Sequence, residues 1–221
     1  LANGKIAGRQ TVSGISDDNN AAAAENSSYF ALNGELIGIT KIDGSVVGTI
    51  YYKRSAIGIM PDGSAVFGQG TYNGSVTIHG VTLPVSGVDC ERGENNLTIY
   101  NKYYDATTKT NEFGMEYVVR GGRVTAINTA NSAIPADGMV ISVHGTAKDA
   151  FSAVKVGDKV LVQQDLGTPW NDAVQIIGAG PTLVKNGQVY VTAEQEEFPS
   201  DITSGRAPRT AAGVTKDGNF L

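Results

Sequence analysis

Asp-Gly and Asn-Gly pairs break this chain into short apolar runs, and they constrain its fold more than any other feature. They stand at Asp43-Gly44, Asp62-Gly63, Asp137-Gly138, Asn186-Gly187 and Asp217-Gly218. Both central residues of a type I′ turn need positive φ, which Asn, Asp and Gly tolerate best, so such pairs between strand-like runs predict hairpins. The runs are present: Gly38–Ile42 and Ser45–Ile50 flank the first pair, Ile57–Met60 and Ala65–Gly68 the second, and Pro181–Val184 and Gln188–Thr192 bracket Asn186-Gly187. Glycine supplies 28 of 221 residues, well above the usual share of about 7%, which fits many strands joined by tight turns. The expected class is α+β, with predominantly antiparallel β-sheets and a few short helices. No Pro- or Ser-rich linker divides the chain, so a single domain is expected.

Helical periodicity is scarce. Asp17-Asp18-Asn19 reads as an N-cap ahead of Asn20–Glu25, whose four alanines favour helix. Thr146–Val154 reads as a second short amphipathic helix before Gly157-Asp158. Residues 1–19 are expected to be an N-terminal lead-in and 20–221 the domain. Gly87–Asn111, polar and aromatic together, is expected to be a long loop or irregular hairpin near a binding surface. Val214-Thr215, Asp217-Gly218 and Asn219–Leu221 read as a strand, a turn and the start of another strand, so further residues of the same domain are expected downstream.

With 17 basic against 22 acidic residues the net charge is −5, and no Lys/Arg cluster is present, which argues against nucleic acid or anionic membrane as partner. No run approaches the ~18 apolar residues of a membrane span. The single cysteine, Cys90, excludes an internal disulfide framework and a Cys-based zinc site, and a buried structural thiol is expected. No metal or cofactor is expected. The chain starts at Leu1, without a basic and apolar leader, so any targeting signal is expected to have been removed.

Four segments can carry chemistry. In Ser204–Thr210, Arg206 and Arg209 flank Pro208 and precede the Thr210 hydroxyl; two guanidinium forks can meet one phosphate, or the pair can serve as surface arginines. In Ile177-Gly178-Ala179-Gly180-Pro181, Gly178 and Gly180 let the backbone approach a ligand and offer it N–H groups, or simply form a tight turn. A third glycine is missing and no helix follows, so this is no dinucleotide fingerprint. Asn26, ahead of Tyr29 and Phe30, can bond a sugar or cap the first helix. Glu194, Glu196 and Glu197 offer carboxylates for glycoside chemistry or a solvated face; Glu197, beside Phe198, is expected to be the partly desolvated one.

Taken in order, these pieces resemble the phosphodiester glycosidase family. Asn26-Ser27-Ser28-Tyr29-Phe30, Gly34–Gly38 and Asp43-Gly44 are similar to its opening; Tyr100–Thr108, Ile134–Gly138, Ile141–Gly145, Val156-Gly157-Asp158, Gly178–Leu183 and Arg206–Gly213 follow collinearly. The resemblance covers residues 20–221, with Ala179 standing where the family usually has a third glycine. The family continues with an Asp-Gly-Arg strand and an Asp-Gly-Gly-Gly-Ser loop, which this sequence lacks. The resemblance implies hydrolysis of a sugar-1-phosphodiester by a secreted or cell-surface bacterial protein, with a glycan or sugar phosphate as substrate. It places Arg206, Arg209, Thr210 and the Gly178–Gly180 amides on the phosphate, Asn26 and His144 on sugar or phosphate, and Glu197 and His144 in catalysis. Two other readings stand beside it: a non-enzymatic carbohydrate-binding or surface-assembly module on the same scaffold, and an unrelated β-rich structural subunit.

Overall fold

The structure, a computed structural model, describes residues 1–6, 8–49 and 52–221. The Asp-Gly and Asn-Gly pairs place the hairpins. Thr40–Ile42 pairs with Ser45–Gly48 across Asp43 (φ 48) and Gly44 (φ 78), and Val184–Lys185 pairs with Gln188–Val189 across Asn186 (φ 53) and Gly187 (φ 75). Both are two-residue turns with positive φ at each centre, as the type I′ geometry demands. The expected run to Ile50 ends, as a strand, at Gly48; Ile50 itself lies outside the described residues. Around Asp62-Gly63 the loop is longer, closed by Gly63 N–H to Met60 O and Met60 N–H to Ser64 O, and only Gly63 takes positive φ. Asp137-Gly138 is no hairpin turn, because Gly138 already opens the strand Gly138–His144.

The chain is β-rich with few helices, and its two five-stranded sheets and one three-stranded sheet share one apolar cluster. One sheet runs Ser45–Gly48, Thr40–Ile42, Gln175–Gly178, Ala56–Ile59, Ala65–Gly68, antiparallel throughout. The other runs Arg123–Asn128, Gly114–Arg120, Gly138–His144, Leu97–Tyr100, Gly87–Val88, and only its last pair is parallel. Between them in sequence, Val160–Asp165, Asn73–Ile78 and Val81–Pro84 form the three-stranded sheet. Ile39, Ile176 and Trp170 from the first sheet and its flanks, Val76 and Ile78 from the third, and Leu97, Ile141 and Tyr117 from the second all belong to the same buried cluster. Alternation along the strands explains this: Leu97, Ile99, Ile141 and Val143 face the cluster, while Thr98 and Ser142 face the opposite side.

The first helix differs from expectation. It spans Val12–Asp18, with Thr11 Oγ1 accepting from Gly14 N at 3.1 Å, and residues 20–25 are irregular and exposed. Asn20 (φ 49) ends the helix, and an alanine run with no apolar partner has nothing to repay the cost of starting another. The second helix is shorter than expected, Thr146–Ala150, followed by a turn that buries Phe151. The N-terminal residues pack onto the rest of the chain at Ile6, which is buried and donates its N–H to Tyr103 O at 2.8 Å.

Candidate functional site

The central strand Gln175–Gly178 runs out into Ala179–Thr182 between its two neighbours, and Ala179 N–H extends the ladder to Ser55 O at 2.9 Å. Two features hold the loop that follows. Thr182 N–H donates to Thr192 Oγ1 at 2.9 Å, and Thr192 N–H to Thr182 O at 3.1 Å. Beneath it lies the Glu196 carboxylate, 1% exposed. It accepts from Ser55 N at 2.8 Å, Ser55 Oγ at 2.5 Å, Thr182 N at 3.4 Å and the Thr192 hydroxyl. A buried carboxylate is tolerated only with its lone pairs filled, and here neutral donors fill them. Gly180 has φ 99, and a Cβ there would run into Glu196 Oε2 and stand 3.2 Å from the Phe198 ring. This glycine is required twice over, by backbone conformation and by space.

Beside the loop, Arg54 is buried at 9% exposure. Its guanidinium carbon lies 4.1 Å from the Phe198 centroid, 4.6 Å from Tyr52 and 5.4 Å from Tyr29, within cation–π range of all three rings. Nε donates to Glu196 O at 3.4 Å and Nη2 to Glu197 O at 3.5 Å, long bonds to main-chain carbonyls. Among the described residues the ion pairs are His79–Asp158, Lys109–Asp105 and Arg120–Asp137, so Arg54 has no carboxylate partner. The Tyr29 hydroxyl ties the aromatic wall to the loop by donating to Gly180 O at 3.1 Å.

The residues expected from the sequence fall in several places. Gly180 is in this cluster. Gly178 is buried in the strand, where a Cβ would stand 3.2 Å from Gly38 Cα, so close backbone packing explains it. Glu197 is exposed with φ 55, and the expectation that it is the desolvated carboxylate is corrected: Glu196 is. The turn closed by Glu196 N–H to Thr192 O and Phe198 N–H to Ala193 O turns side chains 196 and 198 inward and 197 outward. Arg206, Arg209 and Thr210 are exposed; Arg209 donates to Pro208 O and Asp201 O, both at 3.1 Å. Among the described residues no hydrogen bond joins either arginine to Gly178 or Gly180. Asn26 is exposed on irregular chain and caps no helix.

His144 belongs to the other sheet. It ends Gly138–His144, lies opposite Gly114, donates its N–H to Asn96 O at 3.1 Å, and its buried Nδ1 has no partner. Nearby, on the same face, Glu116 is fully buried and accepts from Ser132 N at 2.8 Å, Thr110 Oγ1 at 2.7 Å, Ser142 Oγ at 2.9 Å and Thr108 Oγ1 at 3.1 Å. Burial pushes its pKa up, but these donors outweigh burial and hold it below the usual glutamate value. Arg92 completes the network through Ser142 Oγ at 2.8 Å. Gly87–Asn111, expected as an irregular region, contains the strand Leu97–Tyr100 and covers this polar face.

Sequence reasoning missed Arg54 and Ser55, and it singled out Glu197 where Glu196 is the buried carboxylate. A cation and a hydroxyl immediately before the apolar strand Ala56–Ile59 was a readable signal; which of three neighbouring glutamates turns inward was not.

Residues 113–221 match the phosphodiester glycosidase family. That stretch includes His144, Gly178–Thr182, Glu196–Phe198 and Arg206–Thr210, and leaves Tyr29, Arg54 and Ser55 outside. No curated protein matches the chain. Among solved structures, a hypothetical protein from Synechocystis is similar with a TM-score of 0.80 at 25% identity, covering 98% of this chain and 42% of that one. The "putative exported protein" of Burkholderia pseudomallei K96243 is similar with a TM-score of 0.78 at 20% identity, covering 98% of this chain and 55% of that one. The chain thus spans about half, or less, of the length of these structures.

Proposed function

Because residues 113–221 match the phosphodiester glycosidase family, we propose that the protein hydrolyses a sugar-1-phosphodiester. Water attacks the anomeric carbon, the bond from that carbon to the phosphate oxygen breaks with its electron pair, and a phosphomonoester leaves. Phosphate is a good leaving group, so stabilising its charge can replace much of the acid catalysis that ordinary glycosides need. In this reading Arg206, Arg209 and Thr210 close on the phosphate with the Gly180 amide, and Asn26 meets the sugar. Glu197, exposed, takes the proton of the attacking water, with His144 the second candidate for proton transfer.

The observation that carries the reading is the clamped loop. Glu196 fixes Gly180–Thr182 at the end of the central strand, beside a guanidinium that has no carboxylate partner among the described residues. An anionic substrate suits such a place better than a neutral glycan. An extracellular or cell-surface setting is part of the proposal. It is supported by the structural similarity to the Burkholderia protein named as exported.

The test is sugar release from a sugar-1-phosphodiester by the wild type and by Arg209→Ala. Loss of one charge-assisted phosphate contact should lower kcat/KM by about tenfold to a hundredfold. Equal activity of the two proteins would remove Arg209 from the site. Glycan binding without any turnover would instead favour the non-enzymatic carbohydrate-binding module.

A further inference from the structure

We infer that Arg54 is the fixed cation that receives the phosphate of the substrate, through the edge of its guanidinium, and that Glu196 positions it without neutralising it. The inference rests on the proposed function for the identity of the substrate, and on geometry alone for the anion site.

A guanidinium has five N–H donors. Nε and Nη2 of Arg54 each spend one on a carbonyl, at 3.4 and 3.5 Å. One N–H on Nη2 and both on Nη1 remain. The residue is 9% exposed, and no described side chain accepts from Nη1. Phe198 and Tyr52, at 4.1 and 4.6 Å, and Tyr29, at 5.4 Å, crowd the guanidinium with aromatic rings. The donors that the two carbonyls leave unused lie along the Nη1–Nη2 edge, which matches two oxygens of one phosphate in the guanidinium plane.

Two further facts favour a ligand over a packing role. Burying an arginine is costly unless a counter-charge meets it, and none does among the described residues. Glu196, the carboxylate next to it, is already committed to Ser55, Thr182 and Thr192, so it can brace the site but leaves the Arg54 donors free. A second carboxylate aimed at Arg54 would have excluded an anion.

The experiment titrates the full chain and its variants Arg54→Lys and Arg54→Gln with inorganic phosphate and with glucose 1-phosphate by calorimetry. Sugar release from a sugar-1-phosphodiester is followed in parallel. Both variants should bind phosphate at least about tenfold more weakly, lysine failing because a point charge cannot make the in-plane pair. The wild type should also show a shifted Arg54 Nε resonance on adding phosphate, a readout that needs no variant to fold. Unchanged affinity in either variant, or a wild type that binds no phosphate, overturns the inference. If phosphate binds through Arg54 and no sugar is released, the hydrolase reading falls and the anion site stands. If sugar is released with kcat and KM unchanged in Arg54→Gln, the hydrolase reading stands and this inference falls.

Discussion

Asp89 and Glu116 are both buried carboxyl groups in the polar side of the second sheet, and they respond to burial in opposite ways. Asp89 accepts from Asn101 N at 2.8 Å, and its Oδ2 has no partner. Burial therefore pushes it well above the usual aspartate range, and the Asn101 bonds and Lys5 charge oppose this only in part. A raised folded pKa means a contribution to stability that is present in acid and lost as pH rises from the unfolded aspartate range through the folded value. Asp89→Asn should flatten the fall in urea midpoint as pH rises above the ordinary aspartate range; a slope equal to wild type would show that Asp89 is not its source. Glu116 has the opposite sign: its folded pKa is lowered, so its contribution is present above the unfolded glutamate value and lost as acid protonates it. Glu116→Gln should cost about 2–4 kcal/mol at pH 7, since an amide cannot accept from all four donors, and urea unfolding measures it. Cys90 is half-buried, and burial, then Glu35, Asp89 and Glu91, push its thiol up to about 12, so native protein at pH 8 should react with iodoacetamide far more slowly than unfolded chain. The opposite responses of Asp89 and Glu116 were not legible in the sequence. A lone Glu in Gly114–Arg120 reads as a solvated strand residue until the loop bearing Thr108 and Thr110 is known to fold over it.

At the scale of elements the sequence is a better guide, wherever local chemistry settles the matter. Asp43-Gly44 and Asn186-Gly187 fold as type I′ turns because positive φ is required and few residues tolerate it. Residues 20–25 mislead because alanine propensity is weak when no apolar face is available to pack. The clamped loop shows the same limit: its glycines are visible in the sequence, but Arg54 and Glu196 reach it from 126 and 16 residues away from Gly180. Gly114 is a comparable case in the second sheet. A Cβ there would collide with Arg92 Nη1 and stand 2.6 Å from Val143 O, although the backbone needs no positive φ. Gly114→Ala should therefore cost about 3 kcal/mol in thermal unfolding. Adding Arg92→Ala should recover little of that, because the carbonyl clash remains.

For the whole molecule, the shared apolar cluster joins three sheets, whereas most residues after Lys185 are exposed. Hydrogen exchange should be slowest in Gly114–Arg120 and Gly138–His144, buried and paired on both sides, and fastest across 204–213. Brief trypsin treatment should cut after Arg206 and Arg209 before any site in the sheets; protection of both bonds would mean that this segment is covered. The topology of the first sheet has a consequence for biosynthesis. Its middle strand, Gln175–Gly178, inserts between Thr40–Ile42 and Ala56–Ile59, more than a hundred residues after either has been made. On a translating ribosome those two early hairpins must wait apart, with facing edges bare, until the third partner emerges from the exit tunnel.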